Sequence, residues 1–538
     1  SFNTGVGYGA LSANTTGTNN NAIGANALDA NTTGNSNNAF GREALTDNTT
    51  GGQNCAFGHE ALEDNTTAGN NSAFGFRALR LNTTGTQNVA LGSESLSANT
   101  TADYNVAIGR SALKVNTTGE YNTAIGGLAL FDSTTASNNV AVGYLALYEN
   151  TTASNNTAVG TEALRLNTTG ASNVAVGFNT LRANTSGHSN TALGHETLKD
   201  ATGTENTAVG RLSQKVTTGN ANASLGAYSL LHNTTGSTNT AVGKSAIYTN
   251  TTGSNNTGCG NFTLGYNTTG SDNTAVGRDA LRDNTTASNN TAVGKDALLS
   301  NTTGHSNVAV GTNALDANTT ANHITAVGFD ALSANTTGAQ NVSLGAFSLD
   351  ANTTGGSNTA VGFLALSANT TAGNNTAIGD QALTTNTTGT ENVAVGSLAL
   401  TSNTTSNYST AVGYKAAQFS TGAYNLALGN EALKGVSGQT TGINNTALGI
   451  VSLRDLTTGS NNTATGIGSL RDNTTGSNNV AMGNDALANN ETASNNTAIG
   501  YTALLSNTTG ADNVAVGAFV LDANTTASNN TGVGYAAL

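Results

Sequence analysis

Side chains that commonly do chemistry in proteins are few and scattered in this sequence. Its six histidines stand at unrelated positions of the chain. No His-Glu-x-x-His, Gly-x-Ser-x-Gly, phosphate-loop or paired Cys-x-x-Cys motif occurs. The aspartates Asp279, Asp283 and Asp296 each follow an Arg or Lys, which is typical of a solvated surface of paired charges. We therefore predict that the protein is not an enzyme and holds no cofactor and no metal ion.

The tripeptide Asn-Thr-Thr recurs along the whole chain and has the form of an N-glycosylation sequon. Sugars on such a column would crowd one another, because adjacent strands lie only about 4.8 Å apart. A turn built from Asn and Thr, with Asn side chains stacked in a ladder, is the simpler interpretation. Glycosylation remains the alternative.

Aromatic residues share a second recurring position, directly after a glycine that returns about every 17 residues. They are candidates for a surface that stacks on sugars or on a partner protein, or that covers a subunit seam. The set is Tyr8, Phe76, Tyr144, Phe178, Phe329, Phe363, Tyr414, Tyr501 and Tyr535.

The composition excludes several compact cores, although 538 residues would suffice for them. The chain has 66 Gly, no Pro and no Trp, with 36% hydrophobic and 9% charged residues. A disordered chain would carry more charge and Pro. The net charge of −13 disfavours a nucleic-acid partner. No apolar run reaches the length of a membrane span, so we expect no membrane contact by this segment.

The recurring glycine, here called the marker glycine, sets the architecture. Of the 31 intervals between its 32 copies, from Gly7 to Gly534, 27 are 17 residues long, three are 16 and one is 20. Seventeen residues make roughly 56 Å of extended chain, enough for a flattened coil of two short strands and two turns. We predict an all-β fold, a parallel β-solenoid of 32 coils, with residues 1–538 forming one continuous array. The 16- and 20-residue coils should absorb their length changes in turns, because a shift within a strand would reverse its faces.

Three columns of the repeat predict where side chains point. The apolar residue before the marker glycine, as in Val6 and Ile23, and the Leu four residues after it are expected to form the core. The residue two before the marker is only Ala, Gly or Ser. Strand alternation then places it outside, where such small residues indicate close packing. We predict a seam between subunits along this column, and tight packing within a narrow coil is the alternative. Candidate seam residues are Ala22, Ala39, Ala73, Ala275 and Ala292.

The two cysteines complete the set of reactive groups. Cys55 and Cys259 stand in the fourth and sixteenth repeats, roughly 58 Å apart at 4.8 Å per coil. A disulfide requires Cα atoms within about 7 Å, so an intrachain bridge is excluded in this fold. Cys259 takes the place of an apolar residue before a marker glycine and is expected to pack in the core.

The motif Asn-[Thr/Val]-Ala-[Val/Ile]-Gly, as in Asn105–Gly109, Asn122–Gly126 and Asn173–Gly177, resembles the head repeat of YadA-type trimeric autotransporter adhesins. That resemblance implies a left-handed β-roll, three chains around one axis and a bacterial cell-surface adhesin. Similar arrays occur in phage tail-fibre-like proteins. The repeat departs from the family in its longer unit, and the sequence has neither a heptad stalk nor a C-terminal barrel. The chain opens and closes inside a repeat, so we expect a window of a longer protein.

From these features we predict an extracellular structural and adhesive fibre that mediates surface attachment or display. Its expected partners are further copies of the chain, as a homotrimer or fibre, and a host or surface protein or glycan. A phage tail-fibre-like shaft and a single-chain filament joined end to end are alternatives. An ice-binding solenoid is the remaining alternative, although Asn-Thr-Thr offers only one outward Thr column.

Overall fold

The computed structural model describes residues 2–538 and is a parallel β-solenoid, in which each repeat contributes one three-residue strand. The chain divides into two compact units, one ending at Ser271 and the other beginning at Asp272. Residues 2–538 contain no helix that is long and apolar enough to cross a membrane.

The first unit contains strands β1 to β16. Their bounds are Thr4–Val6, Asn21–Ile23, Asn38–Phe40, Cys55–Phe57, Ser72–Phe74, Val89–Leu91, Val106–Ile108, Thr123–Ile125, Val140–Val142, Thr157–Val159, Val174–Val176, Thr191–Leu193, Thr207–Val209, Ala223–Leu225, Thr240–Val242 and Thr257–Cys259.

The second unit contains strands β17 to β32. Their bounds are Thr274–Val276, Thr291–Val293, Val308–Val310, Thr325–Val327, Val342–Leu344, Thr359–Val361, Thr376–Ile378, Val393–Val395, Thr410–Val412, Leu426–Leu428, Thr446–Leu448, Thr463–Thr465, Val480–Met482, Thr497–Ile499, Val514–Val516 and Thr531–Val533.

Within each unit, every strand pairs in parallel with the next strand along the chain, and like columns face each other. In the first unit Ala22 pairs with Ala39. The register survives the irregular repeats: Thr191 pairs with Thr207 across a 16-residue interval, and Leu426 pairs with Thr446 across the 20-residue one. Changes in repeat length are therefore absorbed outside the strands, as predicted.

The coil has one strand instead of the predicted two, and turns make up the remainder. Three non-glycine residues in nearly every repeat adopt left-handed backbone angles that an extended strand cannot contain, such as Asn19 at φ 61°, Asn26 at φ 58° and Leu28 at φ 52°. The turn backbone still bonds between coils, since the amide of Leu28 donates to the carbonyl of Ala44 at 3.0 Å. Coil stacking thus satisfies backbone polar groups without a second regular strand.

The core is built from the alanine and leucine columns, so the orientation predicted for the Leu column was right and the orientations predicted for the other two columns were wrong. The Leu column is buried, as predicted, and Leu28 has no exposed surface. The alanines expected on a seam are also fully buried, namely Ala22, Ala39, Ala73, Ala275 and Ala292. The apolar residue before the marker glycine consequently lies on the outside, as Ile23 does. A side chain without exposed surface cannot touch a second chain, so the alanine column is not a seam.

The narrow interior explains this reversal. At Gly5, which stands in the alanine column, an added Cβ would lie 3.7 Å from the Leu11 side chain. An Ala methyl group therefore already reaches the leucine of its own coil, and Val or Ile would collide with it. The tight-packing interpretation of the alanine column is the one that the structure supports.

Two buried asparagine ladders close the core on the turn side. The first, predicted from Asn-Thr-Thr, is confirmed: Asn48 Nδ2 donates to Asn31 Oδ1 at 2.8 Å and to the carbonyl of Gly51 at 3.0 Å. The second ladder is formed by the Asn that stands directly before nearly every strand: the backbone N–H of Asn54 donates to Asn37 Oδ1 at 3.0 Å. These four asparagine side chains are essentially unexposed, so the ladders replace apolar packing with hydrogen bonding. The first ladder is interrupted where an Oδ1 atom has no hydrogen-bond partner within residues 2–538, at Asn116, Asn184 and Asn386.

Candidate interaction surfaces

The outward side chains of the strands form the most regular surface of each unit. This surface, called the outer strand face, consists of the first and third residues of every strand in the strand bounds given above. None of these positions carries a charged residue. The third position is apolar in nearly all strands and remains partly open, with Val276 37% and Leu344 47% exposed. In the first unit Phe40, Phe57 and Phe74 stack ring on ring, with centroids 4.5 and 5.2 Å apart.

The aromatic residues predicted to lie on the surface do so. Tyr8, Phe76, Tyr144, Phe178, Phe329, Phe363, Tyr414 and Tyr501 are all exposed. They do not form one common site. Several join local clusters with partners that the sequence pattern did not indicate: Phe347 bridges Phe329 and Phe363, at 5.3 and 6.3 Å between ring centroids.

An aromatic recess in the first unit was missed from the sequence. Tyr228, Tyr248, Phe262 and Tyr266 line it together with Lys244 and Ser245, around a volume of about 390 Å³. Its residues come from four different columns of the repeat, one, two, five and six residues after the marker glycine, so no single column contained the signal. The detectable sign was the deviant repeat Asn261–Asn267, in which Phe and Tyr replace smaller residues.

Rings in the recess meet at different angles. Phe262 and Tyr266 are perpendicular, with centroids 5.4 Å apart, and Tyr248 is tilted against Phe262 at 6.2 Å. The Arg211 guanidinium carbon lies 5.6 Å from the centre of the Tyr228 ring. Rings held at such angles present both faces and edges to a ligand, with cations beside them.

Glu43, His59 and Glu60 bring their ligand atoms within 4.8 Å of one another, the spacing of a metal site. Guanidinium groups already occupy both carboxylates: Arg77 Nε donates to Glu60 at 2.5 Å, and Arg42 pairs with Glu43 at 3.1 Å. The hydrogen bond from Arg77 is the main reason that the pKa of Glu60 is lowered. A divalent cation would have to displace these positive charges, so the cluster is better described as an ion-pair network.

The aspartates predicted to lie on a solvated surface of paired charges form ion pairs. Asp279, Asp283 and Asp296 each pair with the preceding Arg or Lys, at 3.4, 2.8 and 3.0 Å. Among the histidines, His305 and His323 lie close together, with ring centroids 5.3 Å apart. His305 Nδ1 also lies 3.3 Å from the hydroxyl oxygen of Ser306.

Nearly all Asn-Thr-Thr sequons are closed to modification in the folded protein, whereas Asn14 and Asn524, in the first and last copies, are half-buried. The Asn amides of the closed sequons belong to the buried first ladder, as at Asn48, and a glycosylated amide nitrogen has to reach solvent. Exposed sequons occupy a different column, just before the second ladder, as at Asn155 and Asn495. The sequence pattern alone did not separate these two groups.

Both cysteines are free thiols. Cys259 is exposed on the outer strand face, so the prediction that it packs in the core was wrong. It belongs to the column before the marker glycine, which lies outside because the narrow interior accepts only the smaller residue beside it. Cys55 is half-buried, and burial raises the pKa of its thiol. Cys259 is therefore the accessible reactive group on that face.

No protein-family model matches the sequence, and no curated protein matches it either. The outer strand face and the aromatic recess are therefore the features from which a function is inferred.

Proposed function

We propose that this protein is an extracellular structural and adhesive fibre element, whose copies associate side by side through the outer strand face. The observation that carries the proposal is that face itself: two outward residues per strand, none charged, with a partly exposed apolar column. The first column of the face is most often Thr and the third is apolar in nearly all strands. An uncharged face with such an exposed apolar column is suited to an interaction, whereas a free sheet face normally carries charged residues.

The energy available from this face grows with the number of coils. Fully burying a valine is worth about 1.5–3 kcal/mol, so covering the open third of Val276 or Val293 adds roughly 0.5–1 kcal/mol. One coil cannot offset the cost of bringing two chains together, which is about 4–15 kcal/mol. The sixteen strands of one unit together reach that range. Association should therefore need a long array, which the chain has.

A second copy of the chain is the partner that best fits this face. The apolar side chains of this face repeat at the spacing of the coils, so those of another copy remain in register with them along the whole contact. A surface with a different spacing would fall out of step after a few coils. The lack of charge on the face also matters, because two molecules of net charge −13 would otherwise repel each other there.

The resemblance of the Asn-Thr-Ala-Val-Gly repeat to trimeric adhesin heads supports three chains, attachment as the role and the cell surface as the location. The stacked coils support a role in reach and display, because each coil depends only on its neighbours and length can be added without redesign.

Molecular mass in solution tests this proposal. We expect sedimentation equilibrium to give three times the chain mass of 53.4 kDa. A Val276→Lys, Val293→Lys variant should dissociate to monomers, because each lysine would be desolvated in the contact. The matched control is Asn430→Lys, Asn484→Lys, which adds the same charge at exposed positions after marker glycines.

Circular dichroism of both variants should match that of the parent protein, since all four side chains point outward. A parent protein that stays monomeric at high concentration would refute the proposal. So would equal dissociation of the control variant, because charge alone would then explain the loss.

A further inference from the structure

The charge pattern around the aromatic recess differs from that of the rest of the protein. No Asp or Glu occurs between Glu205 and Asp272, whereas Arg211, Lys215 and Lys244 lie within that stretch. The protein as a whole carries a net charge of −13. The recess thus lies in a locally basic region of an acidic molecule, which favours an anionic ligand.

The walls of the recess favour a ligand with an apolar face. Phe262 and Tyr266 meet at 82°, and their centroids are 5.4 Å apart. Tyr248 adds a third ring, also packed edge-on by His232 at 5.1 Å. Such a corner accepts the C–H face of a sugar ring, while phenol hydroxyl groups can bond its hydroxyls. The volume of about 390 Å³ is within the range of small-ligand sites.

We propose that this recess binds an acidic saccharide, with sugar rings packed on the aromatic walls and a carboxylate facing Lys244. A hexuronate combines the two features that the recess selects, an apolar ring face and one negative charge. This inference deepens the attachment role proposed above and rests on it for its biological setting. The binding itself involves residues outside the outer strand face, so it does not require assembly.

Isothermal titration calorimetry with an oligogalacturonate tests the site. The fully methyl-esterified oligomer is the control, since it keeps the sugar rings and removes the charges. We expect the parent protein to bind the acidic oligomer at least about tenfold more tightly than the ester, and added salt to weaken binding. Equal affinity for both oligomers, or binding of neither, would overturn the proposal.

Two variants test the two features separately. Lys244→Gln should reduce affinity for the acidic oligomer about tenfold and leave affinity for the ester unchanged. Tyr248→Ala should weaken both, by about tenfold, through loss of ring contact. Tyr414→Ala and Lys415→Gln are matched controls, because Lys415 Nζ lies 4.9 Å from the Tyr414 ring centre, outside the recess. Equal losses in these controls would refute the site.

Two further measurements separate the possible explanations. A Val276→Lys, Val293→Lys protein should keep full saccharide affinity even as a monomer, so failure of assembly and failure of the recess can be told apart. Single-stranded DNA, which also combines stacking rings with negative charge, should bind more weakly than the oligogalacturonate. Tighter binding of the DNA would overturn the assignment to a saccharide.

Discussion

Removing one member of the first asparagine ladder should open the solenoid locally. Asn82 donates to Asn65 Oδ1 at 3.0 Å and to the Gly85 carbonyl at 2.9 Å, and it accepts from Asn99 Nδ2 at 2.7 Å. Its side chain has no exposed surface. The variant Asn82→Ala loses all three hydrogen bonds and leaves Asn65 Oδ1 buried without its donor. The expected cost is about 4–6 kcal/mol, from roughly 1 kcal/mol per bond plus about 1–3 kcal/mol for the desolvated acceptor.

Native-state hydrogen exchange measures this cost where it arises. A global melting curve is less suitable, because long repeat arrays do not unfold in a two-state manner. Backbone amides in the coils that contain Asn65, Asn82 and Asn99 should exchange at least about 1,000-fold faster in the variant. Amides several coils away in the same unit should keep their protection, because each coil contacts only its neighbours.

The control for the ladder variant is Thr84→Ala, two residues further along the same turn, where the side chain is exposed. It should leave exchange within about twofold of the parent protein, since exposed substitutions usually cost under about 0.5 kcal/mol. Unchanged exchange in Asn82→Ala would refute the role given to the ladder. Acceleration spread evenly over the whole unit would refute the nearest-neighbour account.

Three further substitutions or treatments have definite expected outcomes. Gly294→Ala should unfold its coil locally, as judged by hydrogen exchange, because φ is 136° and a Cβ would lie 2.3 Å from the Gly311 carbonyl oxygen; normal protection would contradict this. Burial raises the pKa of Asp316 to about 6, above the usual value of about 3.9, so ionisation of Asp316 lowers stability as pH rises through that window. Asp316→Asn should remove this pH dependence of local stability, and a pH profile unchanged from that of the parent protein would contradict the role given to Asp316. A maleimide should label Cys259 before Cys55 in dilute protein and lose access to Cys259 on assembly; labelling that is independent of concentration would argue against a contact there.

The repeat period determined much of the fold in advance. The spacing of the marker glycines predicted the number and length of the coils, the Leu column lies inside as predicted, and the predicted Asn ladder forms. These features follow from residue type at a fixed position, because a buried Leu and a stacking Asn have few alternatives in a solenoid.

The orientation of the strand could not be derived from the same information. Alternation places Ala22 and Ile23 on opposite faces without saying which face is inside. Hydrophobicity favours Ile23 as the buried residue, but the available width decides in favour of the smaller Ala22. That width depends on how closely Leu28 approaches across the coil, which is a property of the folded turn and not of the strand sequence.

The aromatic recess was hidden for a related reason. Tyr228, Tyr248 and Phe262 belong to successive coils; Tyr228 and Phe262 stand two residues after their marker glycines, whereas Tyr248 stands five residues after its own. Their convergence depends on the left-handed backbone of the turn, where Tyr228 has φ 62° and Phe262 has φ 56°. Column-by-column reading finds features that repeat, whereas this site arises from residues that depart from the repeat.

The in-register pairing of identical columns has a consequence at the level of the gene. Loss of residues 42–58 would join Gly41 to His59 and bring Ala39 opposite Ala73, a pairing of the same type as the present one. The ladders and the leucine stack would close again without a gap. Unequal recombination between regular repeats can therefore lengthen or shorten the coding sequence in 17-codon steps and still yield a foldable product. The 20-residue repeat from Gly429 to Gly449 has three residues more than a regular repeat. Exchange between the two would have to carry these extra residues, so recombination should favour the regular stretches of the gene.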